Sequence, residues 1–403
     1  MSKSQSARPP SRRGSTDRNV TRRDLMARAG ATAAACSLGG IGGSHAGAVA
    51  TVKALPVRLR GISFEMRGEP SLPAMAQQYA AWGVNLIRVN VTSDAFAAEQ
   101  PDELGARPQA GEPLAPYRNN LRRLHALADE CHRLGIAVII AADQIYGRRL
   151  DYFITRGGDA FRDGLEGHLM EFWAGVVGAF RDHPAVVGYD LLNEPNYSGR
   201  HPAIDSPDIW HEIVTKLIKL IRGKDQSTWI ILMPWPWGLA RGFDQMRFSP
   251  DPHLLYSFHF YSPHSYTHQG VGSASVPRGA YVYPGIMPEF PSDLPIKWDR
   301  AALRKAIAPA IAFRDRYGVR IIVGEFGVVR WAPGKEAYLA DLVSILEDEE
   351  FDWAFHSYAS WNGWNPTLPP EAPSEAPPAV QLDGGFHGEN HKLLLAQWAK
   401  NRW

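Results

Sequence analysis

Eight short apolar runs, each followed by a longer polar or helical segment, constrain this chain more than any other feature. They are Val57–Phe64, Val84–Val91, Ile136–Asp143, Ala185–Asn193, Thr228–Trp235, His253–Phe260, Arg320–Gly327 and Trp353–Trp361. Helical periodicity is clearest at 117–134, 166–181, 207–222, 300–317 and 336–349, and a last helix near 391–399 closes the chain. Nearly continuous apolar strands separated by helices indicate a parallel sheet covered by helices. Eight such units over about 350 residues fit a (β/α)₈ TIM barrel, a single domain from residue 51 to 403 with long loops at its C-terminal face. A doubly wound open sheet is the runner-up, but no glycine-rich phosphate loop follows the first run.

The irregular length is concentrated in two places. Residues 262–299, rich in Tyr, Pro and Gly, follow the sixth run, and residues 362–388, with "PTLPPEAPSEAPP", follow the eighth. Loops of this length without regular structure are usually functional or disordered. The first is expected to form a lid or subsite wall; the second reads equally well as a solvated proline-rich loop.

The fourth run changes character abruptly. "VVGYDLLNEPN" passes from buried-strand residues to an amide, a carboxylate and a proline without a linker. Barrels keep their chemistry at the C-terminal ends of the strands, which is where Glu194 falls. The transition recurs in "IIVGEFG", with Glu325 at the tip of the seventh strand. Two carboxylates projecting into one cleft suit retaining glycoside hydrolysis, where one is the nucleophile and the other the acid and then the base. The competing reading is an ordinary pair of ion-paired carboxylates.

The ordered set "IRV" at the second strand, "LNEPN" at the fourth, "HFYSPHSYTHQG" at the sixth, "GEFG" at the seventh and "SYASWNGW" at the eighth resembles glycoside hydrolase family 5. This clan of retaining β-glycosidases is built on (β/α)₈ barrels. The resemblance implies that Glu194 is the general acid/base and Glu325 the nucleophile, with Arg88 beneath Glu325 helping to keep it ionised. It implies that Asn193 contacts the sugar 2-hydroxyl, that Tyr261 or else His259 reaches Glu325, and that His259 lines the cleft. Trp361 would be the stacking platform at the cleavage point. The chemistry agrees: Glu194 must hold a proton near neutrality and Glu325 must not, and a neighbouring cation decides which of two close carboxylates stays charged.

Other candidates carry two readings each. Trp235 and Trp237 in "MPWPWG", and Trp331, serve either as glycan platforms or as packed core. His259, His264 and His268 could ligate a metal, but their aromatic loop has no carboxylate pair, so no metal or cofactor is expected. At the end of the third strand many family members carry a histidine, whereas this chain has Asp143 and Gln144. Asp143 is a candidate sugar contact, and the departure bears on the substrate rather than on the two-glutamate chemistry.

Residues 1–50 are set apart as an export signal and a disordered N-terminus. Arg22 and Arg23, a weakly apolar stretch and a small-residue end near Ala46–Ala48 resemble a twin-arginine signal. The alternative is a disordered basic tail, and lipid attachment at Cys36 is disfavoured by Ala33. Removing residues 1–46, with 8 Lys+Arg and 2 Asp+Glu, leaves 35 against 40 and changes the formal charge from +1 to −5. That argues against a nucleic-acid partner. Cys131 would then be the sole cysteine, on a helix's apolar face, and is read as core. The expected protein is an exported retaining endo-β-glycosidase acting on a β-1,4-glucan polysaccharide or oligosaccharide, with no obligatory protein partner. A β-mannanase, an exo-acting β-glucosidase, a transglycosylase, a metal-dependent hydrolase and a non-catalytic glycan binder are the alternatives.

Overall fold

The computed structural model describes residues 53–66, 71–91, 115–143, 158–196, 206–272, 276–289, 292–358, 360–373 and 387–401. The twin-arginine segment, Cys36 and much of the proline-rich loop lie outside the described residues.

Eight parallel strands close into a barrel: β1 (Arg60–Met66), β2 (Leu86–Val91), β3 (Ala137–Ala142), β4 (Val186–Asp190), β5 (Trp229–Leu232), β6 (Leu254–Phe260), β9 (Arg320–Phe326) and β10 (Asp352–His356). Their order around the barrel is β1, β2, β3, β4, β5, β6, β9, β10 and back to β1. Between β6 and β9 an antiparallel hairpin is inserted, β7 (Gly285–Glu289) with β8 (Ser292–Trp298). The sequence reads this segment as irregular, because Pro288 and Pro295 interrupt any strand pattern.

The helices are α1 (Leu72–Ala81), α2 (Ala115–Leu134), α3 (Gly158–Phe180), α4 (Pro207–Arg222), the one-turn α5 (His264–Thr267), α6 (Arg300–Tyr317), α7 (Lys335–Asp348) and α8 (Glu389–Trp398). Local chemistry sets several of the starts. Ser71 caps α1 by accepting from the Ala74 amide at 3.2 Å, and Asp299 caps α6 by accepting from Ala302 at 3.1 Å. Gly318, with φ 66°, ends α6 in the left-handed region.

Strand alternation sorts side chains into two cores. In β2, Ile87, Val89 and Val91 face the helices while Leu86, Arg88 and Asn90 alternate with them toward the barrel axis. In β6, Leu254, Tyr256, Phe258 and Phe260 join the outer core and Leu255 the inner one. The inner core is a plug of Leu59, Leu86, Ala137, Ile139, Val187, Ile231, Leu255, Ile322 and Ala354, with every barrel strand or its immediate flank contributing. This apolar layer closes the bottom of the barrel, so the polar residues one or two steps further along each strand sit above a dry floor. Cys131 is fully buried in the outer core, where burial pushes its thiol far up.

Candidate active site

Arg88 is the centre of the polar layer. It is fully buried; its Nε donates to Asp190 Oδ2 at 2.9 Å, its Nη1 to Glu325 Oε1 at 2.9 Å and to Ser63 Oγ at 3.2 Å, and its Nη2 to Asn193 Oδ1 at 2.9 Å. Four strands or strand ends, β1, β2, β4 and β9, thus converge on one guanidinium. Burial disfavours its charge, but Asp190 and Glu325 more than restore it, raising its affinity for the proton. Burial raises the Asp190 carboxyl, opposed by Arg88.

Glu325 reaches this layer through a β-bulge. The β6–β9 register passes from Phe258 opposite Val323 to His259 opposite Glu325, and the β9–β10 register slips in the same place. With Ile322 facing the barrel axis, regular alternation would turn Gly324 inward and Glu325 outward. The extra residue lets both face in, a known use of bulges beside active sites. Gly324 has no room for a side chain, because a Cβ there would stand 2.8 Å from Ser257 Oγ, 3.1 Å from His259 Nε2 and 3.3 Å from Arg88 Nε.

The two oxygens of Glu325 are treated differently. Oε1 accepts from Arg88 and from Asn90 Nδ2, each at 2.9 Å. Oε2 accepts from Tyr261 Oη at 3.1 Å and has His259 Nδ1 at 3.6 Å and His356 Nδ1 at 3.8 Å. Burial would raise this carboxyl, yet His259, His356, Arg88 and the Asn90 amide outweigh it and hold Glu325 well below the usual carboxylate range. Tyr261 is pushed the other way by burial and by the charges of Glu325 and Glu194, so it stays a phenol that donates.

Glu194 stands just beyond β4 in the left-handed region, φ 46°, a conformation uncommon outside glycine and typical of functional strand ends. Its Oε1 lies 2.8 Å from His259 Nδ1, and its side chain is more exposed than those of His259 and Glu325. Donor atoms of Glu194, His259 and Glu325 all lie within 4.8 Å of one another. A carboxylate separation of about 5 Å is what double displacement requires.

The structure therefore brings together Glu194, Glu325, Arg88, Asn193, His259 and Tyr261. Of the two residues offered as partners of Glu325, Tyr261 makes the hydrogen bond and His259 bonds Glu194 instead. Asp143 is buried beside them and accepts from Asn193 Nδ2 at 3.3 Å. Of the histidines weighed as metal ligands, only His259 joins a cluster; His264 and His268 stack on each other at 3.8 Å between ring centroids.

The tryptophans divide. Trp235 is buried in the outer core, so the platform reading of it is corrected to packing. Trp237, also in the left-handed region, is partly exposed and donates its amide to Pro195 O at 2.9 Å, which fixes the loop beside Glu194. Trp331 has Arg278 over its ring at 3.9 Å and Arg330 at 5.3 Å, so its ring already makes cation–π contacts. Trp361 does not end the eighth strand of the barrel: β10 stops at His356, five residues earlier, and Trp361 packs edge-on against Trp331 and Trp364. Trp364, buried, is the tryptophan whose ring borders Tyr261, His268 and His356.

Sequence reasoning passed over Asn90, Asp190, Ser63, His356 and Trp364. Asn90 had a signal, since it is two residues after Arg88 on the same strand face; the others had none beyond position near a strand end.

A closed parallel barrel with an acidic pair over a buried arginine at its C-terminal rim defines a glycoside-hydrolase barrel. Residues 50–365 match the model of Cellulase (glycosyl hydrolase family 5), and the chain belongs to this family. It is an endoglucanase-like glycoside hydrolase. Endoglucanase C of Acetivibrio thermocellus is 24% identical over 249 residues, covering 57% of this chain and 69% of that protein. Among solved structures, a hyperthermophilic endo-β-1,4-glucanase in complex with substrate superposes with a TM-score of 0.60 at 19% identity, covering 77% of this chain and 91% of that one. Thermotoga maritima Cel5A in complex with mannotriose gives 0.57 at 17%, covering 77% and 92%.

Proposed function

We propose that the protein is a retaining endo-β-glycosidase that cleaves a β-1,4-glucan, cellulose-like or mixed-linkage, through a covalent glycosyl-enzyme intermediate. Glu325 Oε2 attacks the anomeric carbon while Glu194 gives its proton to the departing glycosidic oxygen; Glu194 then takes a proton from the water that releases the sugar from Glu325. The observation that carries this reading is the asymmetry of the pair. Two carboxylates lie within 4.8 Å, and one of them is tied to a buried guanidinium, an amide and a phenol, whereas the other faces the open side against a histidine.

Each neighbour has a role in that sequence. Arg88 and Asn90 hold Oε1, leaving Oε2 to form the bond. Tyr261 steadies Oε2 while it is an anion and is released when it becomes an ester oxygen. Asn193, oriented by Arg88 and Asp143, is placed for the hydroxyl beside the anomeric carbon. Trp237 is the natural platform on the leaving-group side, since its loop is bonded to Pro195 next to the acid.

The glucan assignment is supported by the endoglucanase relatives. A mannan is the second reading; exo action and transglycosylation use the same residues. Arg22, Arg23 and the small-residue stretch after them support export of the enzyme.

The test is Glu325→Ala with added azide. Turnover should vanish and return in part with azide, yielding a glycosyl azide of inverted configuration. A near-normal rate without azide removes Glu325 from the nucleophile's role.

A further inference from the structure

At the end of the eighth strand of the barrel, where the resemblance calls for an aromatic platform, stands His356. Strand alternation turns it inward with Ala354, one step above the apolar plug, and Ser63 is its register partner on β1. Its side chain is 8% exposed, and its Nδ1 is fully buried without a hydrogen-bond partner among the described residues. That atom lies 3.8 Å from Glu325 Oε2, beyond hydrogen-bond reach. The edge of Trp364, 6.3 Å away between centroids, limits the ring on another side. Gly327 lets the backbone carry it there, since a Cβ at that position would meet His356 O at 2.3 Å.

A buried polar atom left unpaired is costly unless something supplies its partner. Tyr261 already donates to Oε2, and His259 is engaged with Glu194, so His356 Nδ1 is the group beside the reacting oxygen with capacity to spare. An oxygen at ordinary hydrogen-bond distance from both Nδ1 and Oε2 fits their 3.8 Å separation. A sugar bound with its anomeric carbon at Oε2 brings ring hydroxyls into that region, whereas an apolar platform there would bind the ring face without reading hydroxyls.

We infer that His356 is a specificity-determining residue that hydrogen-bonds one ring hydroxyl of the sugar whose anomeric carbon Glu325 attacks. Recognition at the end of this strand thus depends on a hydroxyl and its stereochemistry. The inference rests on the reading of Glu325 as the nucleophile.

The experiment compares wild type, His356→Phe and His356→Asn on 2,4-dinitrophenyl β-cellobiosides in which the hydroxyls of the reacting sugar are replaced one at a time by hydrogen. On the parent substrate His356→Phe should lose roughly tenfold or more in kcat/KM, the scale of one neutral hydrogen bond plus an unpaired hydroxyl. His356→Asn, whose amide falls near the position of Nδ1, should recover most of that loss. On one deoxy substrate the wild type and His356→Phe should be nearly equal. A loss equal across the whole series, or no loss at all, overturns the inference, because a residue acting only on Glu325 or on packing would not distinguish the hydroxyls. Labelling of Glu325 by a 2-deoxy-2-fluoro glycoside, read by peptide mass, checks the nucleophile separately: absence of label there defeats the underlying reading, while label with uniform losses defeats this inference alone.

Discussion

Arg88 and Glu325 form an ion pair with almost no solvent access: Nη1 to Oε1 is 2.9 Å, with side-chain exposures of 0% and 7%. The same guanidinium holds Asp190 at 2.8 Å, so one cation is shared between two buried carboxylates. Replacing Arg88 with Met should destabilise the fold by about 3–5 kcal/mol, because removing one partner strands the charges it compensated. Urea melts measure that. In any folded fraction, Glu325 loses one of the influences that depress its proton affinity, so the acid limb of the kcat/KM profile should move to higher pH. An unmoved limb would separate Arg88 from the ionisation of Glu325.

Glu194 is argued to act by giving a proton, and that requirement depends on the leaving group. Glu194→Gln should slow an unactivated β-glucan by roughly 10²–10⁴-fold, the usual weight of general acid catalysis. A dinitrophenyl glycoside needs no proton to depart, so its glycosylation step should be much less affected. Equal slowing of both would count against the acid role.

Gly324 makes room for the site instead of taking part in it. Gly324→Ala would set a methyl against Ser257 Oγ, His259 Nε2 and the Arg88 guanidinium. Overpacking of this kind costs about 1–3 kcal/mol. Here the displaced groups include the arginine under Glu325 and the histidine beside Glu194. Activity should therefore fall well below what the stability loss explains at a temperature where the variant is fully folded. Full activity in a folded Gly324→Ala protein would show that the bulge tolerates a side chain.

Much of this arrangement was legible in the sequence because strands advertise themselves by alternation. "LIRVNV" declares its outward face through Ile87, Val89 and Val91, so Arg88 had to face the axis, and Asn90 with it. The acidic tips at Glu194 and Glu325 follow from the abrupt end of apolar runs. The bulge that turns Glu325 inward left no mark beyond Gly324, since a bulge is a relation between strands. The eighth strand shows the opposite failure. "WAFHSYASW" continues to read as strand because its aromatics have high β-propensity, yet the ladder stops at His356, and the residue of this strand beside Glu325 is a histidine. Trp235 and Trp237 flank one proline and differ only in which side of the chain is packed, which composition does not encode.

Glu289 ties the inserted hairpin to the catalytic rim and predicts a pH dependence of its own. Its Oε1 accepts from Ser262 Oγ at 2.7 Å and its Oε2 from the His264 amide at 3.0 Å, one and three residues after Tyr261. Burial pushes its carboxyl up to about 7, against those two bonds and the charge of Arg241. A carboxyl whose proton is held more tightly in the folded protein than at about 4.3 in the unfolded chain contributes its full stability below the lower value and loses it as pH rises through the higher. Wild-type Tm should therefore carry a falling component between about pH 4.5 and 7. Glu289→Gln keeps an acceptor oxygen and cannot ionise, so this component should be absent from the variant's curve and appear in the difference between the two, the variant gaining on the wild type as pH is raised from 5 to 8. Parallel curves over that range would mean that the carboxylate is already charged at the lower pH, and that the two hydrogen bonds outweigh its burial.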